Sequence, residues 1–211
     1  MDLPSRSFRV LAFSFILAAW PLLSAHGDED NQPTLTIGSP APELNVEHWV
    51  QDGDGAFKPV TKFAPDQIYI VEFWATWCGP CIASMPHISK LQTEYADKGV
   101  QVVSISDEPL ETVERFLARD VAGKEGTTYA DLTKVYCLTT DPDRSVYKDY
   151  MNAAKQRGIP TAFIVGKTGR IDWIGHPMSM DEPLQAIVNG TWDRDAFATE
   201  FTAKQASDAL L

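Results

Sequence analysis

An α/β fold, a central mixed β-sheet flanked by helices on both faces, is what three features of this 211-residue sequence predict. Short runs of β-branched and aromatic residues alternate with helically periodic segments in the order βαβαβαββα, an order that places helices on both sides of one sheet. The strand runs are nearly continuously apolar, as in strands covered on both faces. Hydrophobic residues make up 44% of the chain and charged residues 22%, a composition that buries a core and is unlike disordered or fibrous chains.

The elements follow in order. Arg6 and Arg9 precede an apolar run from Val10 to Trp20, then Pro21, Leu22, Leu23 and the small pair Ser24-Ala25, the pattern of an export signal. Residues 1–25 are read as a signal peptide, with processing after Ala25 or Gly27. An uncleaved anchor is the alternative, although the stretch is short of the ~20 apolar residues of a membrane helix and Pro21 interrupts it. A lipoprotein anchor needs a cysteine at the processing site, and the cysteines are Cys78, Cys81 and Cys137 alone. The expected mature protein is soluble and periplasmic or otherwise extracytoplasmic.

The polar residues 26–34 read as a flexible leader, and a folded domain is expected over 35–190. From Ile37 to Gln67, short apolar runs broken by prolines and glycines suggest a hairpin or extended entry segment, turning at Asp52-Gly53-Asp54-Gly55. That tetrapeptide lacks the ligand spacing and terminal Glu of a calcium loop. "IYIVEFWA" (68–75) is a buried strand with Glu72 in its middle, followed by a helix up to Gly99 in which Pro86 is expected to introduce a kink. "VQVVSIS" (100–106) is a strand. "EPLETVERFLARDVA" is a helix started by Pro109. Lys134–Thr140 is a third strand and Arg144–Gln156 a helix. "TAFIVG" and "RIDWIG" are strands joined by a turn at Lys167-Thr168-Gly169. A further helix follows Asp181. Residues 191–211 form a C-terminal helical tail whose Phe197, Phe201 and Ala206 are expected to pack back on the domain.

Charge narrows the partners. Twenty-nine acidic and 18 basic side chains give a net charge of −11, and loss of residues 1–25 would leave −12. No basic cluster offsets this, which argues against nucleic acid and anionic membrane surfaces. A monomer is expected.

Chemistry concentrates in "FWATWCGPCIASMP" (73–86). The two cysteines lie where a strand runs into a helix, and a thiol at a helix N-terminus is shifted toward thiolate by unpaired N–H groups and the helix dipole. Cys78 is therefore expected to be the exposed nucleophile and Cys81 the covered, resolving thiol, with the two sulfurs close enough to bond. Pro80 removes a competing N–H and fixes φ in the turn. Glu72, costly in an apolar strand, is a carboxyl of raised pKa able to take the Cys81 proton, or else the partner of a buried cation. Ile159-Pro160-Thr161 precedes a strand where a cis X-Pro bond would offer a backbone edge to an extended substrate. Trp77, Gly79, Pro80, Ile159 and Thr161 are the candidate substrate contacts. Cys137 is expected to be an inert buried thiol, with a second redox partner as alternative. His176 and Met178 fall in a loop or form part of a substrate surface.

"VEFWATWCGPC", the proline inside the following helix and "GIPTAFIV" resemble the thioredoxin superfamily, and within it the exported TlpA-like and ResA-like thiol-disulfide oxidoreductases, over roughly Ile37 to Asn189. The resemblance implies a thioredoxin-like fold with an N-terminal extension and C-terminal helical tail, attack by Cys78, resolution by Cys81 and a cis peptide at Pro160. Thioredoxin carries an Asp where this chain has Glu72, so the proton-acceptor role carries over with a longer side chain. Exported members imply disulfide-containing protein substrates such as apocytochrome c and a membrane electron donor, and no cofactor.

Rival readings differ in spacing. A structural zinc site needs four clustered ligands, and one CxxC pair does not supply them. Copper-delivery proteins of similar fold have three residues between their cysteines. A peroxide-reducing relative would need a Thr and a Pro shortly before the attacking cysteine, and "FWATW" has Thr76 without the proline. A purely structural disulfide over so short a loop would contribute little stability.

Overall fold

Every residue of the strand expected at Ile68 is buried, and that strand is the middle of the molecule. In the computed structural model, which describes residues 35–208, the strands are β1 (His48–Asp52), β2 (Ile68–Trp74), β3 (Val100–Ser106), β4 (Asp120–Val121), β5 (Lys124–Thr128), β6 (Cys137–Thr140), β7 (Thr161–Val165) and β8 (Ile171–Gly175). The helices are α1 (Gly79–Tyr95), α2 (Leu110–Leu117), α3 (Tyr129–Thr133), α4 (Ser145–Tyr147), α5 (Asp181–Asn189) and α6 (Arg194–Asp208). The expected signal peptide and leader lie outside the described residues. No helix among those described is long and apolar enough to cross a membrane.

Six strands form one sheet in the order β1-β6-β3-β2-β7-β8. The β2, β3 and β6 strands run parallel, whereas β7, β8 and β1 join antiparallel, so the sheet is mixed as expected. Because side chains alternate along a strand, β2 feeds two cores. Ile68, Ile70 and Trp74 join α1, α2, α3 and α5 on one face; Tyr69, Val71 and Phe73 join Val146, Tyr150 and Met151, together with Leu35, Ile37, Leu44 and Phe201, on the other. Glu72 falls by the same alternation on the face of Ile70 and Trp74, which is also the face of Cys78 and Cys81.

Several elements differ from the sequence expectation, each for a local reason. The entry segment, expected as a hairpin or an extended stretch, turns where expected but its returning arm forms no strand; β1 pairs instead with β6 at the sheet edge, His48 opposite Thr140 and Asp52 opposite Cys137. Its DGDG stretch is a plain turn, with Gly53, Asp54 and Gly55 at positive φ and the Gly55 N–H donating to Asp52 Oδ1 at 2.8 Å. The helix started at Pro109 ends at Leu117 rather than running through Ala122. A β4–β5 hairpin follows, with Gly123 and Gly126 at φ 76°; then comes α3, started by a capping box between Thr128 and Asp131. Lys134–Tyr136 leads out of α3, so β6 begins only at Cys137. The expected helix 144–156 is a single α turn continued by a π turn, Lys148–Asn152, and Lys155 at φ 55° ends it. Helix α1 contains Pro86, as expected, with that proline on its exposed side. In α6, Phe201 is buried and Phe197 packs beside it, but Ala206 faces solvent.

Candidate active site

The β2 strand delivers the chain to the sheet's C-terminal edge, and four residues separate its end from the start of α1. Cys78 is the N-cap of α1, in extended conformation (φ −84°, ψ 96°), and its Sγ accepts the backbone N–H of Cys81 at 3.2 Å. Sulfur thus takes the place usually filled by a capping oxygen, against donors the first helical turn leaves unpaired. Pro80, in the first turn, offers no N–H. Cys78 and Cys81 are joined as a disulfide.

The two cysteines do not differ in exposure as the sequence predicts. Cys78 is 4% exposed and Cys81 1%, so both are buried. The cover on Cys78 comes from across the molecule: its Sγ lies 3.7 Å from the carbonyl oxygen of Ile159, in the loop that precedes β7. Around the pair, Gly79 and Pro80 are exposed and Trp77 is 73% exposed. The space above Gly79 is open, since a Cβ there would meet nothing within 4 Å.

The Ile159–Pro160 peptide bond is cis. Thr161, buried, is the first residue of β7 and pairs with Phe73 in β2; its hydroxyl donates to the Gly158 carbonyl at 2.7 Å. Strand pairing therefore brings Ile159, Pro160 and Thr161 to the same edge as Trp77, Cys78, Gly79 and Pro80; of these, Trp77, Gly79 and Pro80 are exposed, Ile159 is half-buried, and Pro160 and Thr161 are buried.

Glu72 lies two residues before the end of β2 and is 2% exposed. No Lys or Arg among the described residues pairs with it, which removes the buried ion-pair reading. Burial raises its carboxyl from 4.5 to about 7, tempered by the neighbouring Ser104 hydroxyl. That help is incomplete, because Glu72 Oε1 and Ser104 Oγ both lack a well-aligned hydrogen-bond partner. Tyr136 completes the pocket of polar groups: it is buried, and desolvation followed by the Glu72 charge pushes its phenol well above its usual value. Near neutral pH such a carboxyl exchanges its proton readily, as general acid–base catalysis requires.

One functional contact was not foreseen from sequence. The Glu108 carboxylate accepts from the Thr76 N–H at 2.6 Å and from the Thr76 hydroxyl at 2.7 Å, and Ser106 Oγ donates to it at 3.1 Å. It pins the turn two residues before Cys78 to the end of β3. The sequence signal was faint: an acidic residue just after a parallel strand, beside a threonine that only the fold brings near.

Cys137 sits on the other face of the sheet from the disulfide, in the core with Phe163 and Tyr150. Its thiol is pushed up to about 11 by burial, although Gln101 Nε2 donates to it at 3.3 Å. A role as second redox partner is incompatible with that placement. His176 caps a 3-10 turn, Pro177–Ser179, that contains Met178, and His176 Nδ1 accepts the Met178 N–H.

A disulfide whose first cysteine caps a helix, a cis proline loop against the sulfur and a buried carboxyl on the same face mark a thioredoxin-superfamily protein of the thiol-disulfide oxidoreductase class. The chain belongs to the AhpC/TSA family, which matches residues 37–174. It is 27% identical over 164 residues to the protein FixW of Rhizobium leguminosarum, covering 75% of this chain and 69% of that one. It is 26% identical to the thiol-disulfide oxidoreductase ResA of Bacillus thuringiensis, covering 78% and 83%. Among solved structures it resembles a thiol:disulfide interchange protein DsbE from Chlorobium tepidum (TM-score 0.52, 20% identity, 73% and 99% covered). It also resembles a 2-Cys peroxiredoxin from Plasmodium vivax (TM-score 0.54, 18% identity, 72% and 93% covered). The two structural likenesses show the shared fold, and ResA thiol-disulfide oxidoreductases are among the proteins to which the sequence is similar.

Proposed function

We propose that the protein is an exported reductase of protein disulfides, with residues 1–25 as its signal peptide, 35–190 as its thioredoxin-like domain and 191–211 as a helical tail. The observation that carries the reading is the hydrogen bond from the Cys81 N–H to Cys78 Sγ, which in the reduced protein would favour thiolate on Cys78 and not on Cys81. The Cys78 thiolate attacks a substrate disulfide, forming a mixed disulfide and releasing one substrate thiolate. Glu72 takes the Cys81 proton; the Cys81 sulfur then attacks Cys78 Sγ, which releases the second substrate thiolate and leaves the Cys78–Cys81 disulfide. Two electrons pass to the substrate. The Ile159–Thr161 edge and Trp77 hold the substrate chain, in the manner of strand addition.

Substrates such as apocytochrome c, and a membrane protein that returns electrons to the disulfide, follow from the ResA-like resemblance. A peroxide-reducing role is less well supported, because the Thr76 hydroxyl is committed to Glu108 and no proline stands beside it. The test is insulin reduction with dithiothreitol as donor: the purified protein is expected to catalyse it and Cys78→Ser to abolish it. Full activity in Cys78→Ser would overturn the mechanism. A Cys78–Cys81 potential below about −220 mV supports a reductase; one near about −120 mV points to an oxidase.

A further inference from the structure

A cavity of about 350 Å³ opens beside the disulfide, between the C-terminal ends of β2 and β3, the start of α4 and the stretch Arg157–Ile159. It is at the small end of the ~300–1,000 Å³ range of ligand clefts, and so suits a side chain rather than a cofactor. Trp77, on its wall, is the residue before Cys78, and Ile159, also on its wall, places its carbonyl oxygen 3.7 Å from Cys78 Sγ. Neither cysteine lines the cavity; it adjoins the disulfide through Trp77 and Ile159, its two lining residues nearest Cys78.

The lining selects by charge. Phe73 and Ile105, each 2% exposed, make an apolar floor, and the rings of Trp77 and Tyr147 stand beside it. Three charged groups line the same space: Asp107, Arg144 and Arg157. Arg144 Nη1 is 3.2 Å from Asp107 Oδ2 and its guanidinium lies over the Tyr147 ring at 4.4 Å, so that pair is fixed and close to neutral. Arg157 is exposed and makes no ion pair or hydrogen bond with any described residue. In a protein of net charge −11, Arg157 thus sets on the rim of this cavity a guanidinium that no described carboxylate pairs.

We propose that this cavity is a subsite for an acidic side chain, glutamate in preference to aspartate, next to the target cysteine of the substrate protein. Methylene groups pack on the aromatic wall and the carboxylate reaches Arg157, whose planar fork suits two-pronged binding. A lysine or arginine at that substrate position meets like charge. The proposal rests on the reductase reading and names the substrate class that this site prefers.

The test uses the reduced full-length protein and peptides each bearing one cysteine in a disulfide with 2-mercaptoethanol. Attack passes two electrons from the Cys78–Cys81 dithiol to that bond, giving peptide thiol, mercaptoethanol and the protein disulfide. Two peptide series carry Glu, Gln or Lys immediately before or immediately after the cysteine. In one series the Glu peptide is expected to react about fivefold faster than the Gln peptide, the size of effect an exposed ion pair supports, and the Lys peptide slower still. Arg157→Ala is expected to bring the Glu-to-Gln ratio to within about twofold of unity, and Arg157→Glu to reverse the order of the Glu and Lys peptides. Equal rates in both series, or a ratio that survives Arg157→Ala, overturn the subsite and leave the reductase standing. No reaction with any peptide overturns both.

Discussion

The Glu108 carboxylate holds both the backbone N–H and the hydroxyl of Thr76, at 2.6 and 2.7 Å, and so ties the turn that presents Cys78 to the end of the neighbouring strand. Hydrogen bonds to a charged group contribute about 1.5–3 kcal/mol each, and the donor left behind is partly buried. Glu108→Ala is expected to lower stability by about 2 kcal/mol, a fall of roughly 4–8 °C in melting temperature for a protein of this size. Glu108→Gln, which keeps an acceptor for the N–H, is expected to lose about half as much. Thermal unfolding followed by circular dichroism measures both, and an unchanged melting temperature in Glu108→Ala would show the clamp to be energetically idle.

Glu72 gives the stability of the protein a specific pH dependence. Its carboxyl is raised from 4.5 to about 7 in the folded state, so between those values the native protein binds a proton that the unfolded chain has released. The contribution of Glu72 to stability is therefore fully present below pH 4.5 and is lost as pH rises through about 7, where the folded protein must carry a buried carboxylate. The full effect is on the order of 3 kcal/mol. In Glu72→Gln this slope is expected to disappear, although the buried amide brings its own constant cost. Denaturant unfolding at pH 5 and pH 8 reads the difference. The same variant is expected to slow resolution of the mixed disulfide by about a hundredfold.

Much of this site was legible because its parts lie close together in the chain. Trp77 to Cys81 are consecutive, and a continuous apolar strand ahead of a periodic helix fixes their place at a helix N-terminus. Pro160 was legible from its position before a strand, by likeness to a known pattern. Long-range pairings were not legible: nothing local tells that β1 joins β6, that Glu108 reaches Thr76, or that Ile159 closes over Cys78. The exposure of Cys78 was misread for that reason, since the covering group lies 81 residues further along the chain. The hairpin after α2 was missed differently, because its residues continue a helical apolar period until Gly123 and Gly126 take left-handed φ.

Placement of Cys137 on the far face of the sheet predicts a clean thiol count. In the reduced native protein, Cys78 and Cys81 are expected to react with a chromogenic disulfide reagent and Cys137 to remain silent, because burial keeps it as thiol up to about pH 11. Denaturation then exposes the third thiol. Cys137→Ala is expected to leave insulin reduction intact and to cost about 1 kcal/mol from the small cavity it creates. A third thiol reacting as fast as the first in the native state would show that β1 opens away from β6.

Asp172 links the last hairpin to the C-terminal helix. Its Oδ1 accepts from Arg194 Nε at 2.5 Å, Arg194 Nη2 donates to Thr168 Oγ1, and Trp192 Nε1 donates to the Asp172 carbonyl at 3.0 Å. Burial raises the Asp172 carboxyl above the usual range, and Arg194 pulls it partly back. Removing the arginine alone strands a largely buried charge, a more costly change than removing both partners. Arg194→Ala is expected to cost about 2 kcal/mol, and the double variant Arg194→Ala with Asp172→Asn less than the sum of the singles. Asp172 also fills the space over Gly166, where a Cβ would come within 1.8 Å of Oδ2. Gly166→Ala must therefore displace the carboxylate from Arg194, and its effect is expected to vanish largely in an Arg194→Ala background. Additive losses in that double-mutant cycle would show the hairpin and α6 to be energetically independent.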